Sequence, residues 1–168
     1  MTDDRSYREY VAGNLDRWRR TAFLLCGDWH TADDLTSTVM VKLYRHWNRA
    51  AHFDNRDAYV RRMLMRAWLD ERRRPWNRRE TATEVLPDRG GVAGSEAGDA
   101  DRRLSVLSLL GALPPRRRAV LVLRYFCDLS VEEVAEAMGC SEGTVKSQTA
   151  RALESLRANL GKEEPLWT

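Results

Sequence analysis

Tyr7, Val11, Leu15, Trp18, Ala22 and Leu25 recur at spacings of four, four, three, four and three, the rhythm of one helix face. They predict a first amphipathic helix, which Gly27 ends. Leu35, Val39, Leu43 and Trp47 form a second stripe behind Thr31 and Asp34, a pair spaced to cap its start. After a polar loop from His52 to Asp57, a third helix turns Val60, Met63, Leu64 and Ala67 inward. Another face of it carries Arg62, Arg66 and Arg73, spaced by four and seven. Trp18 and Trp47 lie on apolar stripes and are expected inside, whereas Trp68 falls in line with Arg61 and Arg72 and is expected to be exposed or half-exposed.

The period vanishes between residues 81 and 101, where Pro87, Gly90, Gly91, Gly94 and Gly98 interrupt a mostly polar run. This reads as a flexible linker, long enough to let its flanking units stand apart along an extended partner. Helical spacing then returns in Leu104, Leu107, Leu110 and Leu113, and again in Val120, Leu123, Tyr125 and Phe126, with Pro114 and Pro115 breaking the two runs. Ser130 and Glu133 have the spacing of a capping box, and Val131, Val134, Ala135 and Met138 supply the buried rhythm behind it. Gly139 then ends that helix and Ser141 caps the next, in which Val145, Thr149, Leu153, Leu156 and Leu160 are expected to face inward. The fold class is therefore all-α: two small helical domains, 5–80 and 102–160, joined by the linker 81–101.

The spacing from Ser130 to Arg157 is that of a helix-turn-helix, a device that holds its second helix out toward a DNA groove. Thr144, Lys146, Ser147, Gln148 and Arg151 fall largely outside the apolar stripe, and each is a residue type that bonds base edges or phosphate. Glu142 opposes phosphate. Net charge is only +3, yet it is unevenly spread. Residues 1–80 hold 17 basic against 12 acidic side chains, 81–101 hold 1 against 5, and 102–168 hold 10 against 8. Positive charge thus concentrates in the helical parts, as a polyanionic partner requires. Like charges at helical spacing repel, so the arginine face of the third helix is costly without such a partner. Tyr59, Trp68 and Trp76 lie among those arginines and offer rings on which unstacked bases can lie.

Other chemistries are poorly supported. Cys26, Cys127 and Cys140 are odd in number and scattered, there is no signal peptide or long apolar span, and a reducing cytoplasm fits best. Cys26 and His30 lack a second pair at metal-site spacing, so no metal and no cofactor are expected, and Cys127 and Cys140 are read as small core residues. Asp33 and Asp34 are neighbours about 100° apart on a helix, a poor start for a two-metal carboxylate site, and no catalytic residue is assigned.

With these residues in view, the segments ADDLTSTVMVKLYRHW, DAYVRRMLMRAWLDERRR and ALPPRRRAVLVLRYFCDLSVEEVAEAMGCSEGTVKSQTARALESLR together resemble the extracytoplasmic-function type of bacterial sigma factor, the promoter-recognition subunit of RNA polymerase. The resemblance implies a region 2 over residues 5–80 and a region 4 over 102–160. It implies that Asp33, Asp34, Leu35, Thr38 and Val41 dock on the clamp coiled coil of the polymerase beta-prime subunit. It also implies that His52, Phe53, Asp54, Asn55, Arg56, Arg62, Arg66 and Arg73 bind and melt the -10 element, and that Thr144, Lys146, Ser147, Gln148 and Arg151 read the -35 duplex. The beta flap, promoter DNA and an anti-sigma protein are the further partners it implies, with no membrane role. The chain departs from the family pattern at Ser37 and Thr38, where a Gln-Glu pair is usual, and at Arg66, where asparagine is common. The competing reading is a stand-alone helix-turn-helix repressor or activator.

Overall fold

The computed structural model describes residues 3–73 and 106–161; the expected linker, Trp76 and Leu104 lie outside the described residues. Helix α1 (Asp4–Cys26) starts behind Asp3, whose carboxylate accepts the Ser6 amide, and ends at Gly27 with φ 76°. Only a residue without a β-carbon takes that conformation cheaply, so the glycine sets the reversal into α2 (Trp29–Arg45). The cap of α2 is Asp28, not Thr31. The Asp28 carboxylate accepts the His30 and Thr31 amides and the Thr31 hydroxyl at 3.2, 2.9 and 2.6 Å, which places Thr31 inside the first turn. Burial opposes ionisation of Asp28, but those bonds hold its carboxyl below the usual range.

Leu35, Val39, Leu43 and Trp47 are all buried as their spacing requires, although the helix breaks at His46 and Trp47 opens a separate short turn, α3 (Trp47–Ala50). Its indole donates to the Ser6 hydroxyl at 2.9 Å, and the rings of Tyr7 and Tyr10 pack on it. Helix α4 (Arg56–Arg73) then lies against α2 and α1.

In the second half a helical segment, α5 (106–111), precedes α6 (Pro115–Leu121), which begins on proline where the missing amide costs nothing. From α6 the chain runs directly into a π-helical turn, Val122–Phe126, closed by the Cys127 amide on the Val122 carbonyl at 3.0 Å. The wider turn shifts the helical register. Val120 and Leu123 are buried, whereas Tyr125 and Phe126 of the same run stand at the surface, 57% and 52% exposed. Helix α7 (Val131–Met138) carries both arms of the capping box, Ser130 amide to Glu133 at 2.8 Å and Glu133 amide to Ser130 at 3.1 Å. Gly139 at φ 65° and the Ser141 cap then launch α8 (Glu142–Leu160). Of its expected stripe Val145 is buried, Thr149, Leu153 and Leu156 are half-buried and Leu160 is exposed, while Ala152 is buried instead.

The halves do not stand apart. Helix α4 packs against α7 and α6, and α1 against α6 and the π turn, so that one continuous hydrophobic cluster spans both. This packing overturns the placement of Trp68. It is 1% exposed and Met65 beside it equally buried, because α4 has neighbours on two sides rather than one. Cys127 and Cys140 are half-buried at the margin of the core.

Candidate nucleic-acid interface

The turn between α7 and α8 is held by three local devices: the left-handed glycine, the Cys140 amide returning to the Ala135 carbonyl at 3.1 Å, and the Ser141 hydroxyl accepting the Thr144 amide at 3.1 Å. Val145 and Ala152 pin α8 to the core from below. That leaves Thr144, Lys146, Ser147 and Arg151 exposed and Gln148 half-exposed, together on the outer side of the helix. The Thr144 hydroxyl is within 2.9 Å of Ser141 and the Ser147 hydroxyl donates to the Thr144 carbonyl at 3.1 Å, which pre-orients this end of the helix. The polar face therefore has the geometry of a groove reader.

On α4, Arg62, Arg66 and Arg73 are exposed along one edge. Among the described residues no acidic side chain pairs with them, nor with Lys146 or Arg151. An edge of unpaired guanidinium groups is an electrostatic footprint for phosphate. In the loop before it, His52, Asp54 and Asn55 are exposed, and Asn55 caps α4 by accepting the Ala58 amide at 2.9 Å. Phe53 packs edge-on against Tyr59 with ring centroids 5.0 Å apart and has the Arg49 guanidinium over its face. Arg56 lies over the rings of Tyr10 and Trp47 at 5.2 and 5.6 Å. The loop thus sits on a firm aromatic base, with its polar groups outward.

The docking set on α2 divides. Asp33, Asp34, Thr38 and Val41 are exposed, but Leu35 is 4% exposed and faces the core, so it cannot meet a partner. The correction follows from the spacing itself, since Leu35 is four residues from Val39 on the buried stripe. Asp33 is engaged within the chain, accepting Arg19 Nε at 2.6 Å and Nη2 at 3.4 Å, while Arg19 also lies over Trp29, whose ring stacks on Phe23. Ser37, Val41 and Tyr44 line a shallow groove on this face with Tyr7, Met40 and Arg45. Tyr44 was not expected there, though an apolar position three after Val41 on the outward side is the signal that could have marked it. A second apolar groove, on the other half, is lined by Leu109, Tyr125, Phe126, Leu153 and Leu156. The Asp34 carboxylate is 3.8 Å from the His30 ring. No group of three or more metal-ligand side chains occurs among the described residues, and no helix among them is long and apolar enough to cross a membrane.

Known proteins share this organisation. Residues 10–78 match the family described as Sigma-70 region 2, and residues 103–156 match Sigma-70, region 4. The RNA polymerase sigma-E factor of Streptomyces avermitilis is 40% identical over 92% of this chain and 84% of its own length. That of Streptomyces coelicolor is 37% identical over 92% of this chain and 85% of its own length. Among solved structures, a co-crystal of the sigma factor RpoE with the anti-sigma factor NepR from Bartonella quintana superposes with a TM-score of 0.73, at 21% identity, over 95% of this chain and 99% of that one. The chain belongs to the sigma-70 family, as a sigma factor of the extracytoplasmic-function type.

Proposed function

We propose that the two helical halves divide promoter recognition between them, 5–80 gripping the -10 element and core polymerase and 102–160 the -35 element. As a sigma factor the chain directs RNA polymerase to promoters and helps open them, without chemistry of its own. The observation that carries the residue assignment is the pair of cationic faces without an acidic partner among the described residues: Lys146 and Arg151 on α8, and Arg62, Arg66 and Arg73 on α4.

Helix α8 enters the major groove, where Thr144, Ser147, Gln148 and Arg151 reach base edges and Lys146 neutralises phosphate. The α4 arginines hold the strand backbone of the -10 element, and the loop from His52 to Arg56 captures bases as they leave the stack, an exchange that costs a few kcal/mol per base. Asp34, Thr38 and Val41 dock on the clamp coiled coil with Ser37 and Tyr44 beside them, and Asp33 acts through its pair with Arg19. The apolar groove at Tyr125 and Phe126 suits the beta flap, and exposed apolar faces of this kind also suit an anti-sigma protein. All of these partners are cytoplasmic.

Run-off transcription with core polymerase and promoter fragments tests the reading. The protein is expected to stimulate transcripts from a subset of promoters and to bind the same duplexes weakly when alone. Tight operator-like binding without polymerase, and no stimulation with it, would favour a stand-alone regulator instead.

A further inference from the structure

A ladder of flat groups from α1 reaches the acidic first half of α2. The Phe23 and Trp29 rings stack with centroids 4.1 Å apart and planes 10° from parallel. The Arg19 guanidinium lies over the Trp29 ring, 5.1 Å from its centroid. From that seat Arg19 Nε donates to Asp33 Oδ1 at 2.6 Å and Nη2 to Oδ2 at 3.4 Å. A ring on one side and a carboxylate on another fix the guanidinium, a combination that suits a planar fork and not the point charge of a lysine. The Asp33 bond and charge raise the Arg19 pKa above its ordinary value, with a smaller contribution from Asp16.

Holding α1 to α2 does not require this pair. Trp18, Ala22 and Leu25 of α1 and Leu35 and Val39 of α2 are buried in one shared core. The Arg19 and Asp33 side chains stay 38% and 51% exposed, and an ion pair so open to water adds little to stability. What the pair does fix is the direction of a carboxylate. An exposed aspartate without a partner samples several rotamers, whereas Asp33 is tied at both oxygens. An ionised carboxylate has about four acceptor sites, and Arg19 takes two of them. Because Asp33 remains half exposed, the other sites are open to a second donor.

We propose that Arg19 is a positioning residue for polymerase docking: seated on Trp29, it holds the Asp33 carboxylate in one orientation, open to a guanidinium or ammonium group of the clamp coiled coil. This rests on the docking reading of α2 above. Arg19 would oppose docking only if Asp33 had to release it, and the free acceptor sites make release unnecessary. The gain lies in ordering, since a side chain fixed before contact loses no freedom when the interface forms. Asp34, next in the chain, has no such support from α1; the His30 ring of its own helix lies 3.8 Å away and is charged only when protonated. The two acids therefore serve differently, Asp33 as a fixed acceptor and Asp34 as a mobile one.

Affinity of the full chain for core polymerase, read in a double-mutant cycle, tests the proposal. Arg19→Ala and Asp33→Ala are each expected to weaken binding about two- to tenfold, the range that ordering one side chain is worth. The double variant should bind no more weakly than the worse single one, because each change removes the same oriented acceptor. Arg19→Lys keeps the charge but loses the fork, and is expected to bind as weakly as Arg19→Ala. Urea midpoints of the Arg19 variants should stay near that of the wild type. Unchanged or tighter binding by Arg19→Ala, additive losses, full rescue by lysine, or a loss of stability that accounts for the loss of affinity would each overturn the inference. Asp34→Ala separates it from the docking reading, since it leaves Arg19 and Asp33 in place. If Asp34→Ala weakens binding and Arg19→Ala does not, the positioning role alone falls. If neither Asp33→Ala nor Asp34→Ala weakens binding, this face is not the docking face and both readings fall.

Discussion

Asp57 accepts the Tyr10 hydroxyl at 2.6 Å and pairs with Arg17 at 3.2 Å. Burial alone would raise its pKa, but these partners hold it below the ordinary carboxylate value. Its stabilising contribution is therefore present above the unfolded value of about 3.9 and is lost as pH falls through the lower folded value. Asp57→Asn is expected to flatten the acid limb of a stability-against-pH curve recorded by urea titration; an unchanged limb would refute that role. Gly139 offers a second residue-scale test, because a β-carbon there would meet nothing within 4 Å yet φ is +65°. Gly139→Ala should therefore cost about 1–2 kcal/mol through backbone strain alone, read as a lowered urea midpoint with unchanged slope. At Arg151, proposed above to read the groove, removal of the exposed guanidinium should cost about 1–3 kcal/mol of discrimination at one base position. The expected result is weakened -35-dependent transcription with core-polymerase binding intact, and unchanged promoter selectivity would contradict it.

At the scale of elements, what was legible in the sequence was what local physics decides. The capping box at Ser130 and Glu133, the glycine turns at 27 and 139 and the Ser141 cap all form as their spacing requires, since each is satisfied within a few residues. The Asp28 cap was hidden because Thr31 and Asp34 mimic the same spacing three residues later. The exposure of Tyr125 and Phe126 was not legible because a π turn has no period that a 3.6-residue pattern reveals. On α4 the exposed edge was readable from Arg62, Arg66 and Arg73, and that edge has its own test. Replacing Arg62 and Arg66 together with alanine should reduce open-complex formation and lower the log-log salt slope by about 2, one for each phosphate no longer neutralised. Full opening with an unchanged slope would remove both residues from the -10 interface.

For the whole molecule, the sequence showed two units but not the seam between them, and the reason lies in Trp68 and Arg118. A tryptophan in line with two arginines reads as surface as long as only one neighbour for α4 is considered, and an arginine inside RRR reads as solvated until a helix end 93 residues away needs a cation. Long-range packing of this kind leaves no mark on local periodicity. It does leave a thermodynamic mark, because a core shared by both halves couples their unfolding. Helical circular dichroism and tryptophan fluorescence should therefore trace a single coincident transition in urea, since Trp18 and Trp47 report one half and Trp68 the shared core. Elevated salt should leave that transition nearly in place, because the seam buries apolar side chains and carbonyl-bound guanidinium rather than exposed ion pairs. Two separated transitions would instead mean that the halves fold independently and that the Trp68 seam adds little to their stability.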